Sequence, residues 1–211
     1  GCHLVILGCN TASAKALRTI QQRDLPMLDP SRRVLGIIRP TAETIGNLTE
    51  SRHIGVLATE GTIKSQSYSM EIRKLFPDIH VSGVACPLWA AIVEAGEADS
   101  PGADYFVKKR IDQLMRKDPL IDTIILGCTH YPLLMSSVVK NVPKGVRIMS
   151  QGTYVANSLA DYLKRHSEME RNITQGGTCR YLTTESEERF SETARIFLHE
   201  DVTVNHVDLT E

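Results

Sequence analysis

Short apolar segments alternate along this chain with longer segments in which apolar residues recur at helical spacing. Uninterrupted runs of Val, Ile and Leu are typical of strands buried on both faces of a parallel sheet. The longer segments have the length and spacing of amphipathic helices, the first of them predicted over Ala12–Gln22. The predicted strands are Leu4–Gly8, Val34–Ile38, Ile54–Ala58, Ile79–Val84, Thr123–Leu126, Val146–Met149, Arg180–Thr183 and Thr203–Val207. This alternation predicts an α/β fold with mainly parallel sheets flanked by helices.

Two of the predicted strands end on nearly the same sequence. Residues 5–11 read VILGCNT and residues 124–130 read IILGCTH, and the two cysteines lie 119 residues apart. That separation is about the length of one α/β domain, so the repeat predicts two pseudo-symmetric domains that face each other across a cleft. We assign residues 1–38 plus 150–211 to the first domain and residues 39–149 to the second. Because the first predicted strand has no earlier element beside it, we expect the first domain to be incomplete and its N-terminal strands to precede Gly1.

Composition and charge narrow the class of partner. The 211 residues include 24 Lys and Arg against 25 Asp and Glu, and the formal net charge of -1 gives no electrostatic reason to expect nucleic acid or an anionic membrane. No apolar segment approaches the length of a bilayer span, and the amino end does not resemble a signal peptide, so we expect a cytoplasmic protein. The five cysteines lack the spacing of a zinc site, so no metal is expected. A small polar molecule remains as the expected ligand.

Each repeated Gly-Cys pair stands where a strand has ended and a helix is about to begin. In parallel α/β sheets this edge collects ligands, and a helix N-terminus both lowers the pKa of a nearby thiol and attracts a carboxylate. Asn10, Thr11 and Thr129 add small hydrogen-bonding groups beside Cys9 and Cys128. A single such cysteine would more often be a small buried hydrophobe. Two cysteines in matching positions favour acid-base chemistry on a small acid instead.

The residues around these cysteines resemble a known enzyme family. Gly8-Cys9-Asn10-Thr11-Ala12 and Leu126-Gly127-Cys128-Thr129-His130-Tyr131-Pro132 are similar to the two signature segments of glutamate racemases, in the cofactor-independent aspartate/glutamate racemase family. Residues 55–62 and 85–96 resemble two further family segments in the expected order. The resemblance implies an isomerase that needs no cofactor and makes D-glutamate for bacterial peptidoglycan, hence for cell wall biogenesis and cell shape. Family members are commonly dimers, so a homodimer is also expected.

The same resemblance implies roles for individual side chains. Cys9 and Cys128 would exchange protons with opposite faces of the substrate. His130 would assist Cys128 and bind substrate, and Glu94 would lie near the second thiol, although a glutamate late in an amphipathic helix is more often simply solvated. The remaining substrate ligands implied by the family are Asn10, Thr11, Thr129, Thr59 and Thr62.

Several points stay open at the level of sequence. An Asp-Ser-Gly strand that supplies part of the site in the family is absent from this chain, and Ser150-Gln151-Gly152 stands where members often carry a second Asp-Ser-Gly. A catalytically inactive glutamate-binding or regulatory fragment is therefore an alternative, and an aspartate racemase is another. The sequence does not decide which thiol acts on which enantiomer.

Overall fold

The computed structural model describes residues 1–209 and consists of alternating strands and helices. The strands are β1 (Leu4–Leu7), β2 (Arg33–Gly36), β3 (His53–Ala58), β4 (His80–Ala85), β5 (Thr123–Gly127), β6 (Arg147–Ser150), β7 (Tyr181–Thr183) and β8 (Val204–His206). The α-helices are α1 (Asn10–Lys15), α2 (Leu17–Thr19), α3 (Leu25–Leu28), α4 (Ile38–Ile45), α5 (Glu60–Ser65), α6 (Ser67–Leu75), α7 (Trp89–Glu94), α8 (Pro101–Lys117), α9 (Met135–Asn141), α10 (Gly152–Arg165), α11 (Ser167–Arg171) and α12 (Glu187–Leu198). All the strand pairs described are parallel, which confirms the predicted fold class.

The main core surrounds a four-stranded sheet with the order β4-β3-β5-β6. Its central strands β3 and β5 are buried along almost their whole length, which explains why their sequences are continuously apolar rather than alternating. One face packs against α7, α8 and α9, and the other against α4 and α6. Since the strands run in one direction, their carboxyl ends share one edge, and Cys128 follows β5 at that edge.

The smaller sheet formed by β1 and β2 is less covered. The strands pair from Leu4 with Arg33 to Leu7 with Gly36, in parallel. Although β1 has a buried-strand sequence, Val5 and Ile6 remain 41% and 43% exposed. The third sheet pairs β7 with β8. The division into domains of residues 1–38 plus 150–211 and of residues 39–149 stays a hypothesis.

The segment after Cys9 differs from the single helix predicted over Ala12–Gln22. Helix begins two residues earlier, at Asn10, directly after the cysteine, and the run continues through α2, a π-helical turn at Ile20–Asp24 and α3. Pro26 is the second residue of α3 and follows directly on the π-helical turn. The early start matters because it places Cys9 itself at the N-cap of α1.

The longest helix, α8, shows how the sequence covers the large sheet. Ser100 caps its N-terminus by accepting a hydrogen bond from the Ala103 amide at 3.1 Å. Val107, Ile111 and Leu114 recur at helical spacing and are buried against the sheet, while the opposite face is charged. Within residues 1–209, no helix has both the length and the apolar character that crossing a membrane would require.

Candidate active site

Cys128 lies at the carboxyl end of β5 and is only 8% exposed. Its Sγ is 3.8 Å from Nδ1 of His130. Burial raises the pKa of the Cys128 thiol, while the backbone N–H groups of His130 and Thr129 act in the opposite direction by binding the thiolate. The net effect is a raised pKa, so a protonated thiol is the stable form of Cys128 at neutral pH.

Glu94 connects α7 to this thiol through His130. The Glu94 Oε1 oxygen is 2.8 Å from Nε2 of His130, on the far side of the imidazole ring from Cys128. Because a carboxylate accepts hydrogen bonds, this contact favours a proton on Nε2 and leaves the Nδ1 lone pair facing the sulfur. The three side chains therefore form a continuous chain of polar contacts from the buried thiol to the more exposed carboxylate.

Cys9 lies in the corresponding turn after β1 but is exposed. Its backbone is extended, with φ -118° and ψ 129°, and its carbonyl oxygen accepts the Ser13 amide at 2.9 Å to begin α1. A negative charge on Cys9 is one of the effects that raise the pKa of Cys128, as is the charge of Glu94. The two turns also meet through their neighbours, because Thr11 contacts Thr59 at 2.8 Å and the end of β3 before Thr59 pairs with the end of β5 before Cys128.

Three of the threonines predicted to bind substrate form one cluster. The Thr11 hydroxyl is 2.8 Å from that of Thr59 and 3.3 Å from that of Thr62, and Thr59 and Thr62 are 3.0 Å apart. Thr59 also caps α5 by accepting the Thr62 amide. Gly61 permits this approach of α1 to α5, because a Cβ there would lie only 3.2 Å from the Thr11 methyl group. The cluster joins the turn after β1 to the turn after β3.

Asn10 and Thr129, also predicted as substrate ligands, differ in exposure. Asn10 is 2% exposed, and its amide group is hydrogen-bonded to Gln151 and Tyr68 within the protein. Thr129 is exposed next to Cys128 and directs its backbone N–H toward that sulfur. Thr129 is thus open to a ligand, whereas the Asn10 side chain lies beneath the turn.

Three residues close to the site were missed by sequence reasoning. The Phe197 ring from α12 meets the His130 ring edge to face, with centroids 5.1 Å apart. Gln151 and Tyr68 contact Asn10 from β6–α10 and α6. Of the three, only Gln151 was noticed in the sequence, because Ser150-Gln151-Gly152 stands where family members often carry Asp-Ser-Gly. That difference did not indicate a role for Gln151.

The other three cysteines differ from Cys9 and Cys128 in their surroundings. Cys86 is buried, its sulfur contacts the Val84 carbonyl at 3.8 Å, and burial raises the pKa of its thiol. Cys2 and Cys179 are exposed and free. Among residues 1–209, no group of three or more His, Cys, Asp or Glu side chains is arranged to hold a metal ion.

Known proteins resemble this chain over most of its length. The family described as Asp/Glu/Hydantoin racemase matches residues 1–197. The glutamate racemase of Ruegeria sp. (strain TM1040) is 38% identical, over 96% of this chain and 76% of the relative. The crystal structure of glutamate racemase isoform RacE1 from Bacillus anthracis superposes with a TM-score of 0.86 at 33% identity, over 98% of this chain and 74% of that one.

A third relative is the glutamate racemase from Thermus thermophilus, solved in complex with beta-chloro-D-alanine. It superposes with a TM-score of 0.78 at 26% identity, over 99% of this chain and 73% of that one. These similarities confirm the prediction, made from the two Gly-Cys segments, of an amino-acid racemase similar to glutamate racemases. On the strength of its family match and of these relatives, the chain belongs to the Asp/Glu/Hydantoin racemase family.

Proposed function

We propose that this protein interconverts L- and D-glutamate by proton transfer between the substrate and two thiols, without a cofactor. The observation that carries the proposal is the contact between the two Gly-Cys turns through Thr11 and Thr59, together with the His130 and Glu94 side chains that back Cys128. The relatives named as glutamate racemases support the substrate. The Thermus thermophilus relative, which binds beta-chloro-D-alanine, supports an amino acid as the type of ligand.

The chemistry requires one base and one acid on opposite faces of the α-carbon. One thiolate removes the α-proton, so the Cα–H bond breaks and an S–H bond forms. The partner thiol then donates its proton to the other face, which forms the new Cα–H bond and leaves a thiolate on the second sulfur. The step consumes no oxidant or reductant, and the enzyme ends with its single thiol proton on the opposite cysteine.

The surroundings of Cys128 suit it to act as the general acid that protonates the substrate's α-carbon. Its raised pKa keeps the thiol protonated, which is the form required of the acid. His130 Nδ1 can accept that proton when Cys128 must act as the base, and Glu94 stabilises the resulting imidazolium. Cys128 can therefore be either a thiol or a thiolate while the substrate stays in place.

The substrate's charged groups have candidate partners on both turns. The hydroxyls of Thr11 and Thr59 suit the α-carboxylate, and the buried Thr62 hydroxyl, in a side chain that is 1% exposed, orients both through hydrogen bonds. Exposed Thr129 lies beside the second thiol. We propose that residues 1–38 plus 150–211 and residues 39–149 form the two facing domains. We further propose a cytoplasmic enzyme, acting as a homodimer, whose D-glutamate enters peptidoglycan.

The direct test is racemisation in heavy water. Incubation of L- or D-glutamate with the purified protein in D₂O, without added cofactor, should give the opposite enantiomer with deuterium at the α-carbon. Cys9→Ser and Cys128→Ser should each lower racemisation by orders of magnitude, while Cys2→Ser, which changes an exposed cysteine outside the site, should leave it unchanged. Glutamate binding without any α-hydrogen exchange in the unmodified protein would contradict the proposal and indicate a binding protein.

A further inference from the structure

A closed ring of hydrogen bonds lies directly beneath the Cys9 turn. Asn10 Nδ2 donates to Gln151 Oε1 at 2.8 Å, and Gln151 Nε2 donates to the Tyr68 hydroxyl at 2.8 Å. The Tyr68 hydroxyl in turn donates to Asn10 Oδ1 at 2.6 Å, which closes the ring. Each side chain gives one hydrogen bond and accepts one, so all three orientations are mutually determined.

The ring is buried and anchored to a further helix. Asn10, Tyr68 and Gln151 are 2%, 3% and 7% exposed. The second hydrogen of Gln151 Nε2 is directed to the Thr41 hydroxyl at 2.7 Å, and Thr41 donates to the Ile37 carbonyl oxygen at 2.9 Å. A buried amide or hydroxyl left without a partner is costly, so the arrangement resists rotation of any one member.

The three members come from different parts of the chain. Asn10 is the first residue of α1 and immediately follows Cys9, Tyr68 lies in α6, and Gln151 follows β6. The ring therefore ties the turn that carries the exposed thiol to the large sheet, whose central strand β5 is followed by Cys128. Cys9 itself is exposed, so the side chain that links its turn to the buried ring is that of Asn10.

We propose that Tyr68 and Gln151 are positioning residues that hold the Cys9 thiol at the correct distance from the substrate and from Cys128, acting through Asn10. The proposal rests on the two-thiol racemisation proposed above. Burial raises the pKa of Tyr68, so its hydroxyl keeps its proton and remains a donor at any pH at which the enzyme would work. Proton transfer is sensitive to small displacements, so a loosened turn should slow the step at Cys9 more than the step at Cys128.

The test compares Tyr68→Phe, which removes only the ring hydroxyl, with the unmodified protein. We expect kcat to fall about 10- to 100-fold. With α-deuterated L- and D-glutamate, the primary isotope effects on kcat/KM should diverge. The effect should rise for the enantiomer whose α-hydrogen Cys9 removes, and fall toward unity for the other. A variant that was merely less folded would lower both rates together and leave both isotope effects unchanged.

Two further variants make the test specific. Gln151→Met, of similar length but without hydrogen-bonding atoms, should reproduce the effect of Tyr68→Phe, and the double variant should lose little more than either single one. Thr123→Val is the matched control, since it also removes a buried hydroxyl but at the opposite end of β5 from Cys128. It should leave the isotope effects as they are. Unchanged isotope effects in Tyr68→Phe, or an equal divergence in Thr123→Val, would overturn the proposal.

An independent measurement separates this inference from the proposed activity. In Tyr68→Phe, the amide of Ser13, which donates to the Cys9 carbonyl, should exchange with D₂O about tenfold faster, and in Thr123→Val it should not. If the unmodified protein proves inactive, faster exchange still supports the anchoring of the Cys9 turn while the racemase proposal fails. Unchanged exchange in Tyr68→Phe contradicts the anchoring whether or not the protein is active.

Discussion

The turns that carry Cys9 and Cys128 share a sequence pattern but differ in what surrounds them. The Cys128 turn follows a fully buried strand, and its thiol is covered by core residues and backed by His130. The Cys9 turn follows a half-exposed strand, and its thiol is open. One turn is fixed by the packing of its own sheet, whereas the other is fixed by the hydrogen-bond ring that reaches it from the neighbouring sheet. Local sequence similarity thus specifies the chemistry of a turn without specifying how it is supported.

The largest effect should come from exchanging each thiol for a hydroxyl. Cys9→Ser and Cys128→Ser should each lower racemisation by on the order of 10²–10⁴. Each variant should still exchange the α-hydrogen of the one enantiomer that faces its remaining thiol. Exchange in D₂O, followed by NMR, should therefore persist for opposite enantiomers in the two variants. If both variants exchanged the same enantiomer, the two turns would not act on opposite faces.

The difference in coverage of the two strands should appear in stability. Leu126→Ala in β5 should lower the free energy of unfolding by about 2–5 kcal/mol, since this side chain is 1% exposed. Val5→Ala in β1 should cost less than about 1 kcal/mol, because Val5 is already 41% exposed. Urea unfolding monitored by circular dichroism measures both. Equal losses would show that β1 is as well covered in solution as β5.

Burial of Cys128 should make stability depend on alkaline pH. Its pKa is higher in the folded protein than in the unfolded chain, where a thiol titrates near 8.5, so folding favours the protonated form. The stability that this proton contributes is complete below the unfolded pKa and is lost as the pH rises from there through the folded pKa. We therefore compare how far the free energy of unfolding falls in each variant when the pH is raised from neutral to about 9.5. This fall should be smaller in Cys128→Ala than in Cys9→Ala, because only Cys128→Ala removes the buried thiol. An equal loss in both variants would contradict the effect of burial.

The smallest effect is expected from the aromatic contact on His130. Phe197→Leu keeps an apolar side chain but removes the edge-to-face contact, so racemisation should fall about two- to tenfold. Phe190→Leu makes the same change in the same helix, next to Tyr181 rather than His130, and should leave the rate unaltered. Steady-state kinetics with both variants tests the contact. If both variants lost the same fraction of the racemisation rate, the effect would come from a change in α12 and not from the contact between Phe197 and His130.

Much of this fold follows from patterns that are local in sequence. The apolar runs predict the strands because a strand buried on both faces has no position for a polar side chain. The Gly-Cys turns, with Thr59 and Thr62, were recognisable because their residues lie within a few positions of a strand end. The helix after Cys9 was predicted with the wrong limits, since propensity alone does not fix where a helix starts.

Sequence by itself determined the α/β class, through the alternation of apolar and amphipathic segments along the chain, and the family, through two short Gly-Cys segments. Only the tertiary structure decided which residues support each thiol. Asn10 is 58 residues from Tyr68 and 141 from Gln151, and Phe197 is 67 residues from His130. Contacts at such separations arise when helices pack against sheets, and the burial that raises the pKa of Cys128 arises in the same way. No pattern within a single segment contains that information.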